Sequence, residues 1–536
     1  MDRLTLLKRR LTEQSFRKRF AILFGGKLLG LAALLGLVKV GSTLLGGVAG
    51  AAGLHTLQTT VVKQDDIINA VNTTWVLVTA FLVFFMQAGF MALEAGFARS
   101  RETVNVLLEC VFDTCLCGVM YWAFGFAFQF GAASNWFIGH SYFFLQNAPL
   151  TYGTGGVAFF AFFLFQFAFA DTASTVTSGA MVGRTAFKGD ILYSIVVSGF
   201  LYPIFGHWVW GGGWLGNAAL VPNWMHSLTG GQPFHDFAGS TVVHTVGGVI
   251  ALMGAIVLGP RLGRKFKRDG GGPLPPHDLT IGALGAVILW FGWYGFNPGS
   301  TLSALDYAGM GRVAANTTLA ACAAGLVAVI LVYPRSKKWD LGMSCNGFLG
   351  GLVAITCPCY WVSPTGSVVI GAVAAVVVVY GVDLLEYLRI DDPIGAVAVH
   401  MFAGIWGTIS LGFFASGYTG ALNTGPDPVK ADALKGLFYG GNADILIAQL
   451  IGSAACVILV GGAAFITFKL INAVGLLRVE EEGELEGLDL FEHGTAAYHV
   501  EFGQGMTYTT PAGIGSFPGG GSLVGAKVEA PVSSDT

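Results

Sequence analysis

Two histidines in this chain sit where histidine is costly. Residues 236–258 read DFAGSTVVHTVGGVIALMGAIVL and residues 392–414 read DPIGAVAVHMFAGIWGTISLGFF. Each stretch is apolar and long enough to cross a bilayer, which takes about 20 residues. At an offset of 156 residues they match Asp236 with Asp392, Gly239 with Gly395, His244 with His400 and Gly248 with Gly404. An ionisable side chain inside a membrane span marks function by default. A single histidine there is often a packed residue satisfied by its neighbours, whereas two in matched frames read as halves of one site. Adjacent neutral imidazoles share one hydrogen bond and leave a donor or an acceptor at each end. That chemistry suits passing a small polar molecule and relaying a proton.

Such a pair needs a membrane fold to hold it, and the composition provides one. Of 536 residues, 54% are hydrophobic and 11% charged, with 78 glycines. Charge that sparse excludes an ordinary soluble domain, and glycine lets helices pack closely in lipid. A net charge of -3 gives no reason to invoke nucleic acid. The eight cysteines, including Cys357 and Cys359, lack metal-ligand spacing and read as ordinary thiols. No nucleophile–base pair stands out, so neither an enzyme nor a cofactor is expected.

The N-terminal 27 residues are basic, and the apolar run after them ends in Ala49-Gly50-Ala51-Ala52. This is the layout of a secretory signal cut near Ala51. Lys39 interrupts its core, and the other reading of residues 1–51 is an uncleaved signal anchor. About eleven spans follow, near 74–98, 104–130, 154–181, 190–210, 238–259, 279–299, 313–333, 343–360, 366–386, 394–415 and 443–471. The expected fold is therefore an all-α polytopic membrane protein, with a transmembrane domain over 72–473 and a tail over 474–536.

Loop charge orients it. Arg99, Arg101, Arg184, Lys188, the run 261–268, the run 335–338 and Arg389 all fall on one side. The opposite loops at 131–153, 211–237 and 361–365 carry no Lys or Arg, and Arg312, Lys430 and Lys435 are the exceptions. The mature N-terminus is expected outside and the tail in the cytoplasm. His244 falls on the fifth span and His400 on the tenth. Two blocks of five spans have opposite topology, an inverted repeat with one extra C-terminal helix. Eight residues of helix, at about 1.5 Å each, carry each ring inward from opposite faces to a common depth.

DFAGSTVVH at 236–244, FGHWVWGGG at 205–213, WFGWYGFNPGS at 290–300, CNGFLGGLVAIT at 345–356, DDPIGAVAVH at 391–400 and GLDLFEHGTAAY at 487–498 together resemble the ammonium transporter family, the Amt, Mep and Rh proteins. The 290–300 and 345–356 motifs look closest to the plant and bacterial Amt branch. The resemblance covers most of the chain and implies a homotrimer in the plasma or inner membrane, each subunit with its own hydrophobic pore. It implies recruitment of ammonium at Trp210 and Ser300, with Asp236 beneath them. A Trp face attracts a cation and a hydroxyl accepts its hydrogen bond; Asp236 is equally suited to cap the fifth span. Phe169 and Phe296 match the family's stacked gate, with Phe165 on the approach. Trp293 matches the pore-lining Trp beside His244 and His400. A PII-type regulatory protein on the cytoplasmic face follows from the resemblance alone.

Three positions depart from the family pattern. Gly395 stands where some bacterial members carry an acid, Phe491 where plant members carry a phosphorylatable Thr, and Val182-Gly183-Arg184 where Ala-Glu-Arg is frequent. Two other readings compete with transport. One is an ammonium sensor acting through a separate signalling partner, since the chain after the last span is too short for a signalling domain. The other is an Rh-like neutral gas channel.

Overall fold

A bilayer interior offers the backbone no hydrogen-bonding partners, so long apolar runs close their own bonds as helices. The computed structural model describes residues 63–131, 136–153, 155–418 and 434–498. The signal at 1–51, and the tail beyond Tyr498, lie outside the described residues. Apart from the first turn of α1, every element named below belongs to the compact unit from Ile67 onward.

Eleven apolar helices follow the expected order. They are α1 (Gln64–Phe97), α2 (Ser100–Phe130), α3 (Phe159–Gly179), α4 (Phe187–Val209), α5 (Ser240–Leu258), α6 (Leu279–Gly299), α7 (Tyr307–Ser336), α8 (Leu341–Thr356), α9 (Pro364–Leu388), α10 (Val397–Phe414) and α11 (Asp444–Ala473). All but α8 are long and apolar enough to cross a membrane. α1 starts ten residues before hydropathy alone places it, because its first turns carry Asp65 and Asp66. α7 likewise overruns its apolar core as far as Arg335 and Ser336. α8 stops at Thr356, short of 360: Pro358 follows, and the chain turns so that the Trp361 N–H donates to the Pro358 carbonyl.

α5 and α10 pack against each other, and the matched glycines show how. A Cβ on Gly248 would lie 2.4 Å from the amide nitrogen of Met401, the residue after His400. One on Gly404 would lie 2.5 Å from the Ser240 carbonyl and 2.6 Å from the hydroxyl of Thr245, the residue after His244. Each helix thus presses its glycine against the residue beside the other's histidine. This reciprocity is what an approximate two-fold axis between two halves requires, with α11 as the odd helix.

The basic loops gather at one end around Asp391. Its carboxylate accepts from the Arg261 N–H at 3.0 Å and from Arg261 Nε and Nη2 at 2.8 and 2.9 Å. Arg264 Nε adds a bond of 3.3 Å, and the buried Arg184 donates to the Asp391 carbonyl at 2.7 Å. The tail closes over this end as α12 (Glu481–Glu486) and α13 (Leu488–His493). Arg478 pairs with Glu484 and donates to the Leu258 carbonyl; Asp489 Oδ1 accepts from the Asn105 N–H at 2.9 Å. Tyr498 meets His277 Nε2 at 2.9 Å. Residues 480–498 therefore dock on the loops, as the tail motif suggests. Arg312 lies apart from the basic cluster, donating to the Val362 carbonyl, with its guanidinium 4.0 Å from the centre of the Tyr418 ring.

Burial alone would raise the Asp391 carboxyl, but the hydrogen bonds and charge of Arg261, with Arg184 beside it, outweigh burial and hold it well below the usual range. A carboxyl depressed in the fold contributes stability at pH above its unfolded value, about 3.9, and loses it as pH falls through the folded value. Asp391→Asn leaves Arg261 buried without its partner, which costs about 3–5 kcal/mol. Its melting temperature in detergent should fall clearly below that of the native chain at pH 7, and the gap should narrow below about pH 4. Equal melting at pH 7 would contradict the role given to this pair.

Candidate functional site

The starts of α5 and α10 decide where the histidines sit. The first amides of a helix have no partner in the preceding turn and must find acceptors elsewhere. Asp236 accepts from the N–H groups of Gly239, Ser240, Thr241 and Val242 at 2.8–3.0 Å. Asp392 does the same for Ala396 and Val397, both at 2.9 Å. Each acid needs the glycine three residues on, because the chain turns into the helix through positive φ, +114° at Gly239 and +83° at Gly395. An acid at 395 would be strained in that backbone. The helices then open with wide π-type turns, Ser240–Thr245 and Val397–Phe402, and each turn carries its histidine. A regular helical rise from Asp to His is thus corrected: the helices begin only at 240 and 397, and their first turns are wider. Such turns are frequent at functional sites.

The residues expected to act together form one column. The rings of Trp210 and Phe169 stand 6.1 Å apart at 72°. Phe169 stacks on Phe296 at 4.0 Å and 22°, and Phe165 leans on Phe169 at 4.6 Å. Phe296 in turn stacks on His244 at 5.4 Å, and His244 meets His400 with ring centres 5.3 Å apart. The two Nδ1 atoms are 3.3 Å apart, so one ring donates and the other accepts. His244 Nε2 is buried and has no hydrogen-bonding partner among the described residues. It is free to meet a molecule in the column.

Flanking contacts hold these rings. The Trp293 ring lies 5.1 Å from His244 at 24°, and its Nε1–H donates to Thr356 Oγ1 at 2.9 Å. The Thr356 hydroxyl in turn donates a hydrogen bond to the Leu352 carbonyl. Trp210 is held by a 2.7 Å bond from Nε1 to the Asp236 carbonyl, with its ring face half-buried. Ser300 donates to the Phe296 carbonyl at 2.8 Å, which leaves its oxygen lone pairs to accept. All four contacts of the Asp236 carboxylate go to amides, so it caps α5 and holds the Trp210 carbonyl partner rather than reaching into the column.

Several supports escape a reading of the sequence. Ser240 Oγ donates to the Val353 carbonyl at 2.7 Å and accepts from the Cys357 N–H at 2.6 Å, tying α5 to α8. Gln449 on α11 donates to the carbonyls of His235 and Thr408 and accepts from the His235 N–H. A lone Gln in an apolar span was the available signal for it. Glu94 lines the same inner cavity as His400; an acid within the apolar stretch of α1 was its signal.

Comparison with known proteins bears on this arrangement. The model for the Ammonium Transporter Family matches residues 74–498. Ammonium transporter Amt2 of Archaeoglobus fulgidus is 43% identical over 429 residues, covering 80% of this chain and 88% of that one. Ammonium transporter 1 member 3 of Solanum lycopersicum is 37% identical over 448 residues, covering 81% and 94%. Among solved structures, one titled Sensor Amt Protein superposes with a TM-score of 0.69 at 33% identity, covering 80% of this chain and all of that one. Candida albicans Mep2 gives a TM-score of 0.67 at 26% identity, covering 78% and 89%.

The close crossing beside the histidines makes a sharp test. Gly404→Leu places side-chain atoms inside the Ser240 carbonyl and Thr245, and overpacking of this kind costs about 1–3 kcal/mol or more. It should yield little monodisperse protein by size-exclusion chromatography. Gly462→Leu, at a position with open space around its Cβ site, should behave as the native chain does. Equal yields of the two variants would refute the tight crossing.

Proposed function

The chain belongs to the ammonium transporter family, and from that premise we propose that it recruits ammonium outside, strips its proton, and conducts ammonia and proton through the column to the cytoplasm. The observation that carries this reading is the continuous path of rings from Trp210 to His400, ending in a histidine pair with one free nitrogen. An ion at the centre of a bilayer loses its hydration and costs several kcal/mol, whereas a neutral amine crosses an apolar lining far more readily. The stacked Phe169 and Phe296 leave no room for a hydrated ion. Deprotonation beside them is the low-energy route.

The roles follow from the chemistry of each group. Trp210 and Ser300 bind the cation, one by its ring face and one by its oxygen lone pairs. Asp236 contributes a negative charge below them without touching the ion. His244 and His400 pass the proton along their shared hydrogen bond while Trp293 keeps His244 in place. Transport is then electrogenic and excludes potassium, which has no proton to give. The basic end with its docked tail faces the cytoplasm. Three subunits assemble by family resemblance, and the tail surface suits a PII-type regulator. Residues 1–51 direct insertion as a signal or anchor.

The likeness to a structure titled as a sensor keeps a second reading in view: binding without turnover, reported to a separate partner. Current from purified protein in liposomes after an ammonium pulse separates the readings. Transport gives a sustained current, sensing gives only a binding transient, and a neutral gas channel gives alkalinisation without current.

Trp210→Leu removes the ring face, worth about 0.5–2 kcal/mol to a cation. The ratio of methylammonium to ammonium transport should rise several-fold; an unchanged ratio would rule out recruitment at this Trp. Changing His244 and His400 together to Leu removes the proton path without closing the column. The ammonium current should vanish, or potassium should leak if water fills the gap. A double variant with native current and native exclusion of potassium would reduce the pair to packing.

A further inference from the structure

Below the histidine pair the molecule holds a small cavity of about 20 Å³, room for about one water, between the inner ends of α1, α3, α8 and α10. His400 forms part of its wall. The other lining residues are apolar or small with two exceptions, Asn346 and Glu94. Asn346 is occupied in holding the Ile394 carbonyl at the turn before α10. His400 and Glu94 are therefore the cavity's two ionisable groups.

Glu94 is an unusual residue for this place. It lies five residues before the basic Arg99, near the end of α1, and only 1% of it is exposed. Among the described residues its side chain meets the Ser178 hydroxyl, which donates to Oε2 at 3.3 Å. Among the described residues no Lys, Arg or His forms an ion pair with it. Asp190 on α4 and Glu109 on α2 are the acidic groups that face it. A buried carboxyl without a cationic partner is costly and performs no capping here. A cavity with polar groups at both ends can hold the water that links them.

We propose that Glu94 is the inner proton acceptor of this pore and the place where ammonia regains its proton. The inference rests on the reading of the column as a path for ammonia and proton. In the first step the proton on protonated His400 passes to the Glu94 carboxylate, leaving a neutral imidazole and a carboxylic acid. In the second, ammonia arriving in the cavity takes that proton and leaves as ammonium, and the carboxylate is restored. The cavity then also serves as an inner site for a small monovalent amine cation.

Glu94→Gln tests this with little change in shape, because the amide can still accept from Ser178. In liposomes carrying the full-length protein, the ammonium-evoked current should fall about tenfold or more, the scale of losing a proton-transfer group. Ammonia then enters without its proton, so a dye-loaded lumen should alkalinise more than it does with the native protein. Glu94→Asp, which keeps the acid, should recover much of the current. A Gln variant with native current overturns the proposal. A Gln variant that loses current and ammonia entry together also overturns it, since the residue then only shapes the cavity. A native protein without current fails the reading of the pore itself, a result distinct from failure at Glu94.

Discussion

The structure depends on a simple constraint: inside a bilayer protein, an amide without a partner is expensive, and water is not there to serve it. α5 and α10 both begin in buried surroundings, so the open amides of their first turns must be met from within. Asp236 meets four and Asp392 two. Everything in the column follows from those two starts. They set the wide turns that carry His244 and His400, and the chain just before α5 supplies the carbonyl that holds Trp210.

Around this pair of helix starts the polar groups are turned to the scaffold. Trp293 hands its N–H to Thr356, Ser240 ties α5 to α8, and Gln449 fastens the segment before α5 to α10. These polar side chains spend their hydrogen bonds on the scaffold. His244 Nε2 is buried and has no hydrogen-bonding partner among the described residues. A buried, low-dielectric setting strengthens whatever polar group it leaves free.

The neighbouring residues Asp391 and Asp392 divide two tasks between them. Asp391 collects Arg261 and Arg264 at the basic end, and Asp392 starts α10. The basic loops and the helix that carries His400 are therefore joined through a single dipeptide. Tail contacts at Arg478, Glu484 and Asp489 reach the same end from the other direction.

Much of this was legible in the chain. The paired Asp, Gly, His and Gly at one offset revealed two equivalent helices and their meeting point, because an inverted repeat writes the same local pattern twice. Hydropathy located all eleven helices, since lipid contact demands apolar residues along each span. It missed the polar first turns of α1 and the last turns of α7, which stand beyond the apolar zone. Residue types alone left Asp236 suited both to capping and to a place beneath the bound cation; only its four amide contacts show where the carboxylate points. The wide turns at the histidines, the Thr356 partner of Trp293 and the cavity that Glu94 shares with His400 were likewise decided by packing. Their physical reason is common: a sequence records which face of each helix is apolar, but contacts between helices far apart in the chain exist only once those faces have been pressed together.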